Sequence, residues 1–164
     1  RNKKMKCTFM HHEQALAMAA EGYARVNGKA AIVNVTSGPG GINALNGVFG
    51  AFVDSIPMVI ISGQVRTETI ARLNQKKLRQ LGDQEADIFS LVRSTVKYFA
   101  TPSNKYEAII AVNKALRFLT NGRPGPVWLD IPVNIQGNIL LVSLERMRSL
   151  LHQNVLGRYY TNSI

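Results

Sequence analysis

Apolar runs of strand length alternate along this chain with longer stretches of helical period. Residues 30–35 (AAIVNV), 57–62 (PMVIIS), 96–100 (VKYFA) and 126–131 (PVWLDI) are short and mostly apolar, and they read as strands. The 57–62 run is apolar almost throughout, which predicts a parallel sheet covered on both faces. Residues 6–10 make a further short strand candidate. Between these runs lie helical patterns. Glu13–Asn27 places Leu16, Ala19, Ala20 and Tyr23 at helical spacing, and Gly28 follows where a helix stop belongs. Residues 42 to about 53 predict a helix of small residues and 85–93 a short one. Residues 105–119 carry Ile109, Val112, Leu116 and Leu119 on one stripe. The stretch 63–84 is polar and predicts a long loop.

Strand–helix alternation of this kind predicts an α/β domain of three layers, a mainly parallel sheet flanked by helices. Beyond residue 136 the texture changes. Leu140, Leu144, Met147 and Leu151 share a helical face before a polar end. The expected division is therefore a domain at 1–136, then a linker helix and irregular tail at 137–164.

Composition narrows the function classes. A length of 164 residues suits one domain, and 46% hydrophobic with 18% charged residues excludes a disordered chain. No apolar run approaches the ~20 residues that span a bilayer. The single Cys7 permits no internal disulfide and fits a reducing compartment, so the expected location is the cytoplasm, with no membrane partner. The net charge of +10 would suit a nucleic-acid binder. Its local groups, however, are Arg1, Lys3, Lys4 and Lys6, then Arg72, Lys76, Lys77 and Arg79, and neither interleaves with aromatic residues. The charge reads as a basic surface without a nucleic-acid partner.

Three segments carry candidate chemistry. His11-His12-Glu13-Gln14 opens the first helix; a His-Glu-x-x-His metal signature fails because Leu16 stands at the second histidine position. Adjacent histidines cannot share a face, so no metal is assigned. Taken alone, Glu13 is a first-turn acid favoured by the helix dipole. Thr36-Ser37-Gly38-Pro39-Gly40-Gly41 joins a strand to a helix, yet it is neither a dinucleotide fingerprint nor a P-loop. Such a turn suits close backbone approach to a flat ligand. Asp83, Glu85 and Asp87 read as solvated loop and helix-start acids.

Taken in order, residues 11–65 resemble the pyrimidine-binding (PYR) domain of thiamine-diphosphate-dependent enzymes, of the acetolactate synthase type. The resemblance is carried by His12-Glu13-Gln14, the Ala19-to-Arg25 segment AAEGYAR, Thr36-Ser37-Gly38-Pro39-Gly40 with Asn43, Asp54-Ser55-Ile56-Pro57, and Ser62-Gly63-Gln64-Val65. Gln84-Glu85 stands where the family has Phe-Gln-Glu, with Asp83 in place of the Phe. Gly122-Arg123-Pro124-Gly125-Pro126-Val127 and Asp130-Ile131-Pro132 match its closing segment.

The resemblance implies a PYR-type thiamine-diphosphate-binding fold and a part in a 2-oxo-acid carboligase or decarboxylase, a transferase or lyase. It implies that Glu13 hydrogen-bonds the aminopyrimidine ring and so promotes loss of the thiazolium proton. A mostly apolar pocket that raises its pKa would suit that role. Gly38, Pro39, Gly40 and Asn43 are implied as neighbours of the pyrimidine, with Gln64 and Gln84 as amides on the substrate side. Mg²⁺ and the diphosphate would be held by a separate diphosphate-binding domain, that of a second subunit, in a homodimer or homotetramer. Whether FAD is bound is not legible. The opening Arg and the lack of the family's first strand and helix lead us to expect a chain shortened at its start and inactive alone. Two alternatives stand beside this reading: a catalytically inactive remnant that only binds partners, and a basic nucleic-acid-binding α/β module.

Overall fold

The structure, a computed structural model, describes residues 6–138 and the backbone of 159–161. Its elements run α1 (Glu13–Asn27), β1 (Ala31–Val35), α2 (Pro39–Val53), β2 (Met58–Gln64), α3 (Ile88–Val92), β3 (Tyr98–Ala100), α4 (Lys105–Thr120), β4 (Val127–Pro132), α5 (Val133–Gln136) and β5 (Tyr159–Thr161). The sheet order is β1-β2-β4-β3-β5. The first four strands are mutually parallel, and β5 joins the β3 edge antiparallel, with Phe99 opposite Tyr160. This is the expected α/β architecture. The apolar stripe at 140–151, the expected linker helix, lies outside the described residues. Within the expected irregular tail, residues 159–161 are strand.

Strand alternation divides the core into two layers. Val33, Met58, Ile60 and Trp128 face α1, α2 and α3, while Val59, Tyr98, Ala100, Val127 and Leu129 face α4. Both faces of the central strands are thereby covered, which is why their sequences are mostly apolar, with Ser62, Gln64 and Asp130 as buried exceptions.

The helices bury their small residues. In α1 the buried positions are Ala17 and Ala24, whereas Tyr23 of the expected stripe is half exposed. In α4 they are Ile110, Ala111, Ala115 and Leu119, and Val112 and Leu116 turn outward. Alanine at Ala17, Ala111 and Ala115 lets the helix backbone approach its neighbour closely. The tightest case is Gly47 of α2, where a Cβ would come within 2.7 Å of the Ala17 backbone and of Met18 N. At the end of α1, Gly28 adopts φ 62° and its N–H donates to Ala24 O.

Two boundary expectations change. Residues 6–10 are exposed and form no strand, although β1 is an edge strand whose outer side pairs with no described strand. Helix α2 starts at Pro39 rather than near 42, since proline at the first helical position needs no N–H partner and is preset in φ. Of the expected 63–84 loop, Gly63 and Gln64 belong to β2, and the remainder holds a 3₁₀ turn at Thr67–Thr69.

Candidate functional site

The site is assembled where α1 and α2 begin. His12 caps α1, its Nδ1 accepting from Gln14 N at 3.1 Å, and this sets Glu13 in the first turn. Strand β1 ends at Val35, and the chain turns through Thr36, Ser37 and Gly38 into α2. Asn43 Nδ2 donates to Glu13 Oε2 at 3.1 Å. Gly40 lies beside the same carboxylate: a Cβ there would sit 2.7 Å from Thr36 Cγ2 and 3.5 Å from Glu13 Oε1. Glycine thus lets the start of α2 pack directly on the Thr36 side chain, beside the carboxylate that Asn43 holds.

Gly38 faces a different wall. Its φ is 53°, and a Cβ would fall 1.9 Å from the carbonyl oxygen of Gln84, itself at φ 55°. Both requirements select glycine. Pro39 is exposed at the helix start, and Gly41 packs on Ile88 and Trp128. The structure therefore brings Glu13, Gly38, Gly40 and Asn43 together, with Pro39 on the rim and the Gln84 backbone behind.

The two glutamines part company. The side chain of Gln84 is exposed. Gln64 is only 4% exposed, with its amide turned inward to Asp130 and Ala86. Beside these residues, a groove of about 590 Å³ opens at the carboxyl ends of β1, β2 and β4, lined by Asn34, Ser37, Ile61 and Gln136 among others.

Electrostatics differ sharply across the site. The Glu13 carboxyl is held below its ordinary value by a hydrogen bond from its own backbone, then by the Asn43 amide, against a raising contribution from desolvation. The described residues therefore do not supply the apolar enclosure expected to raise it, because this face of the chain is open. Asp130 behaves oppositely. Burial pushes it up to about 6, opposed by hydrogen bonds from Ser62 and Gln64.

Sequence reasoning missed the Asp130 cluster and the role of Glu85. An acid inside the apolar strand VWLDIP was the available signal, since such a group is rarely buried without partners. Glu85 is buried and accepts from the backbone N–H groups of Ala71, Leu81 and Gly82, at 2.6, 2.8 and 3.1 Å. The three acids of 83–87 are thus dispersed: Asp83 in solvent, Glu85 inside its loop, and Asp87 capping α3 and pairing with Arg72. Among the described residues no three His, Cys, Asp or Glu side chains gather as a metal site, and no helix is long and apolar enough to cross a membrane.

A glutamate at a helix start, an amide holding it and a glycine turn against it, all on a parallel α/β sheet, define a class. The profile of the thiamine pyrophosphate enzyme N-terminal TPP binding domain matches residues 1–91, and the chain belongs to this family. Within it, the chain is similar to acetolactate synthases. It is 40% identical over 137 residues to the mitochondrial acetolactate synthase catalytic subunit of Saccharomyces cerevisiae, covering 84% of this chain and 19% of the relative. Against the acetolactate synthase large subunit of Haemophilus influenzae it is 42% identical over 124 residues, 76% of this chain and 20% of the other. The chloroplastic acetolactate synthase of Arabidopsis thaliana is 34% identical over 153 residues, 92% and 21% respectively. The chain thus spans about a fifth of the length of these curated relatives.

Proposed function

We propose that this chain is the pyrimidine-side part of a thiamine-diphosphate enzyme acting on small 2-oxo acids, a carboligase or decarboxylase of the acetolactate synthase type. The observation that carries the reading is the Glu13–Asn43 hydrogen bond beside a turn whose Gly40 leaves no room for a side chain. Bound there, thiamine diphosphate would supply a thiazolium carbon acid whose conjugate base adds to a 2-oxo-acid carbonyl.

The residues present fit that ligand. Glu13 offers a proton-sharing carboxylate, and Asn43 fixes its plane. Gly38, Pro39 and Gly40 form a turn whose backbone a flat ring can approach. The exposed Gln84 side chain is proposed as the amide on the substrate side, whereas Gln64 spends its amide inside the protein. A lowered pKa keeps Glu13 ionised at neutral pH in this chain. Covering it with a second, apolar surface would raise that pKa by desolvation. We assign the cover, together with Mg²⁺ and the diphosphate, to the diphosphate-binding domain of a second subunit, in a homodimer or homotetramer. The chain alone is then inactive. The cytoplasm is the proposed location, although the yeast and Arabidopsis relatives are mitochondrial and chloroplastic by name.

A second reading, an inactive remnant that only binds partners, draws on exposed apolar side chains such as Ile32 and Phe49. One experiment separates the two. In a full-length version carrying the diphosphate-binding domain, Glu13→Gln should slow hydrogen–deuterium exchange at the cofactor C2 by about a hundredfold or more. Unchanged exchange would remove Glu13 from the role assigned to it.

A further inference from the structure

Behind the glycine turn runs a line of buried polar groups. Trp128 Nε1 donates to Ser62 Oγ at 2.8 Å, and Ser62 Oγ donates to Asp130 Oδ1 at 2.6 Å. Gln64 Nε2 donates to Asp130 Oδ2 at 2.9 Å and to Ala86 O at 3.3 Å, while its Oε1 accepts from Val65 N at 2.9 Å. Ser62, Gln64 and Asp130 are at most 4% exposed.

A carboxylate in this strand is an expensive way to fill space, and an apolar residue would be cheaper. What it adds is direction. Each oxygen takes one donor, so the Gln64 amide is fixed with its other N–H aimed at Ala86 O. Ala86 O also accepts from Ile88 N at 2.9 Å, where α3 begins. Immediately before it stand Gln84, whose carbonyl oxygen abuts Gly38, and Glu85, which binds three backbone N–H groups of the same loop and its neighbour. A continuous path therefore leads from the core of β4 to the back of the turn.

We propose that Asp130 and Gln64 are positioning residues that hold the 82–86 loop through Ala86, and thereby seat Gly38 and its turn beside Glu13 and Asn43, an assignment that rests on the cofactor reading for the ligand's identity but not for the coupling. Neither residue touches the ligand. Their substitution changes where the turn sits, and the sheet remains intact.

Hydrogen–deuterium exchange with mass spectrometry on the 164-residue chain tests this. Asp130→Leu and Gln64→Met should raise amide exchange roughly tenfold in peptides covering 38–42 and 81–88, with β3 and α4 unchanged. Asp130→Asn should restore most of the protection, because its Oδ1 can accept from Gln64 and its Nδ2 can donate to Ser62. If Asp130→Leu fails to fold, Gln64→Met decides. Wild-type exchange at 38–42 in Gln64→Met, or a rise spread evenly over the chain, overturns the proposal. Glu13→Gln should leave the 81–88 pattern untouched. A null effect of that variant on the cofactor, with the local pattern as expected in Gln64→Met, would therefore defeat the cofactor reading alone.

Discussion

Substituting Gly38 by alanine probes the closest approach in the site, and its cost can be worked out in two parts. The first is conformational. At φ 53° and ψ −108°, outside the left-handed helical basin, an L-residue with a Cβ loses about 2 kcal/mol relative to glycine. The second is steric. The new Cβ would stand 1.9 Å from Gln84 O and 3.0 Å from Gln84 C, so roughly 1.5 Å of movement is needed to reach ordinary contact. Both atoms are backbone, and no side-chain rotation relieves the overlap. Overpacking of this kind costs about 2 kcal/mol, for a total near 4 kcal/mol and a Tm lowered by about 12 °C. Gly28 supplies the control. Its φ is 62°, yet nothing lies within 4 Å of an added Cβ, so Gly28→Ala should lose only about 1 kcal/mol. Urea and thermal unfolding followed by circular dichroism would measure both variants. Equal losses would refute the steric half of the reasoning and release Gln84 from its place against the turn.

Other expectations follow from the same geometry. Asp130 has a folded pKa of about 6, above its ordinary 3.8, so its contribution to stability is fully present below about 3.8 and is lost as pH rises through 6. Between pH 4 and 7 the wild type should therefore lose up to about 3 kcal/mol relative to Asp130→Asn, measured by urea unfolding at each pH; a constant difference would contradict the burial argument. Gly47→Val would press a Cβ to 2.7 Å from the Ala17 backbone, costing about 2–3 kcal/mol by the same assay. In that variant, NMR titration should also find the Glu13 pKa moved back towards its ordinary value as the Asn43 bond lengthens.

The parts legible in the sequence were those fixed by local chemistry. The bounds of α1 follow from helical periodicity and a left-handed glycine within one short segment, whereas the His12 cap came to light only in the structure. The parallel sheet follows from strands apolar on both faces. The buried faces of α1 and α4 were not legible, because alanine and glycine carry little hydrophobic signal and their burial depends on the partner helix or sheet. The same holds for residues 6–10, whose strand-like sequence forms no strand even though the outer edge of β1 is open. Glu13, Gly38, Gly40 and Asn43 were found through motif order. The Asp130–Gln64 link was not, since it joins residues 66 apart through side-chain hydrogen bonds. Likewise, no local pattern relates Gly38 to Gln84.

The contact between Gly47 and Ala17 reaches further than packing. Glu13 lies one turn before Ala17 on α1, and Asn43 lies one turn before Gly47 on α2, roughly 6 Å along each helix axis. The backbone contact therefore acts as a fulcrum that fixes how far apart the two helix starts, and hence the carboxylate and the amide, can stand. Their spacing is determined by folding, before any ligand arrives. A ligand received there would lose little further freedom of the protein on association, and the acceptor would already be aimed.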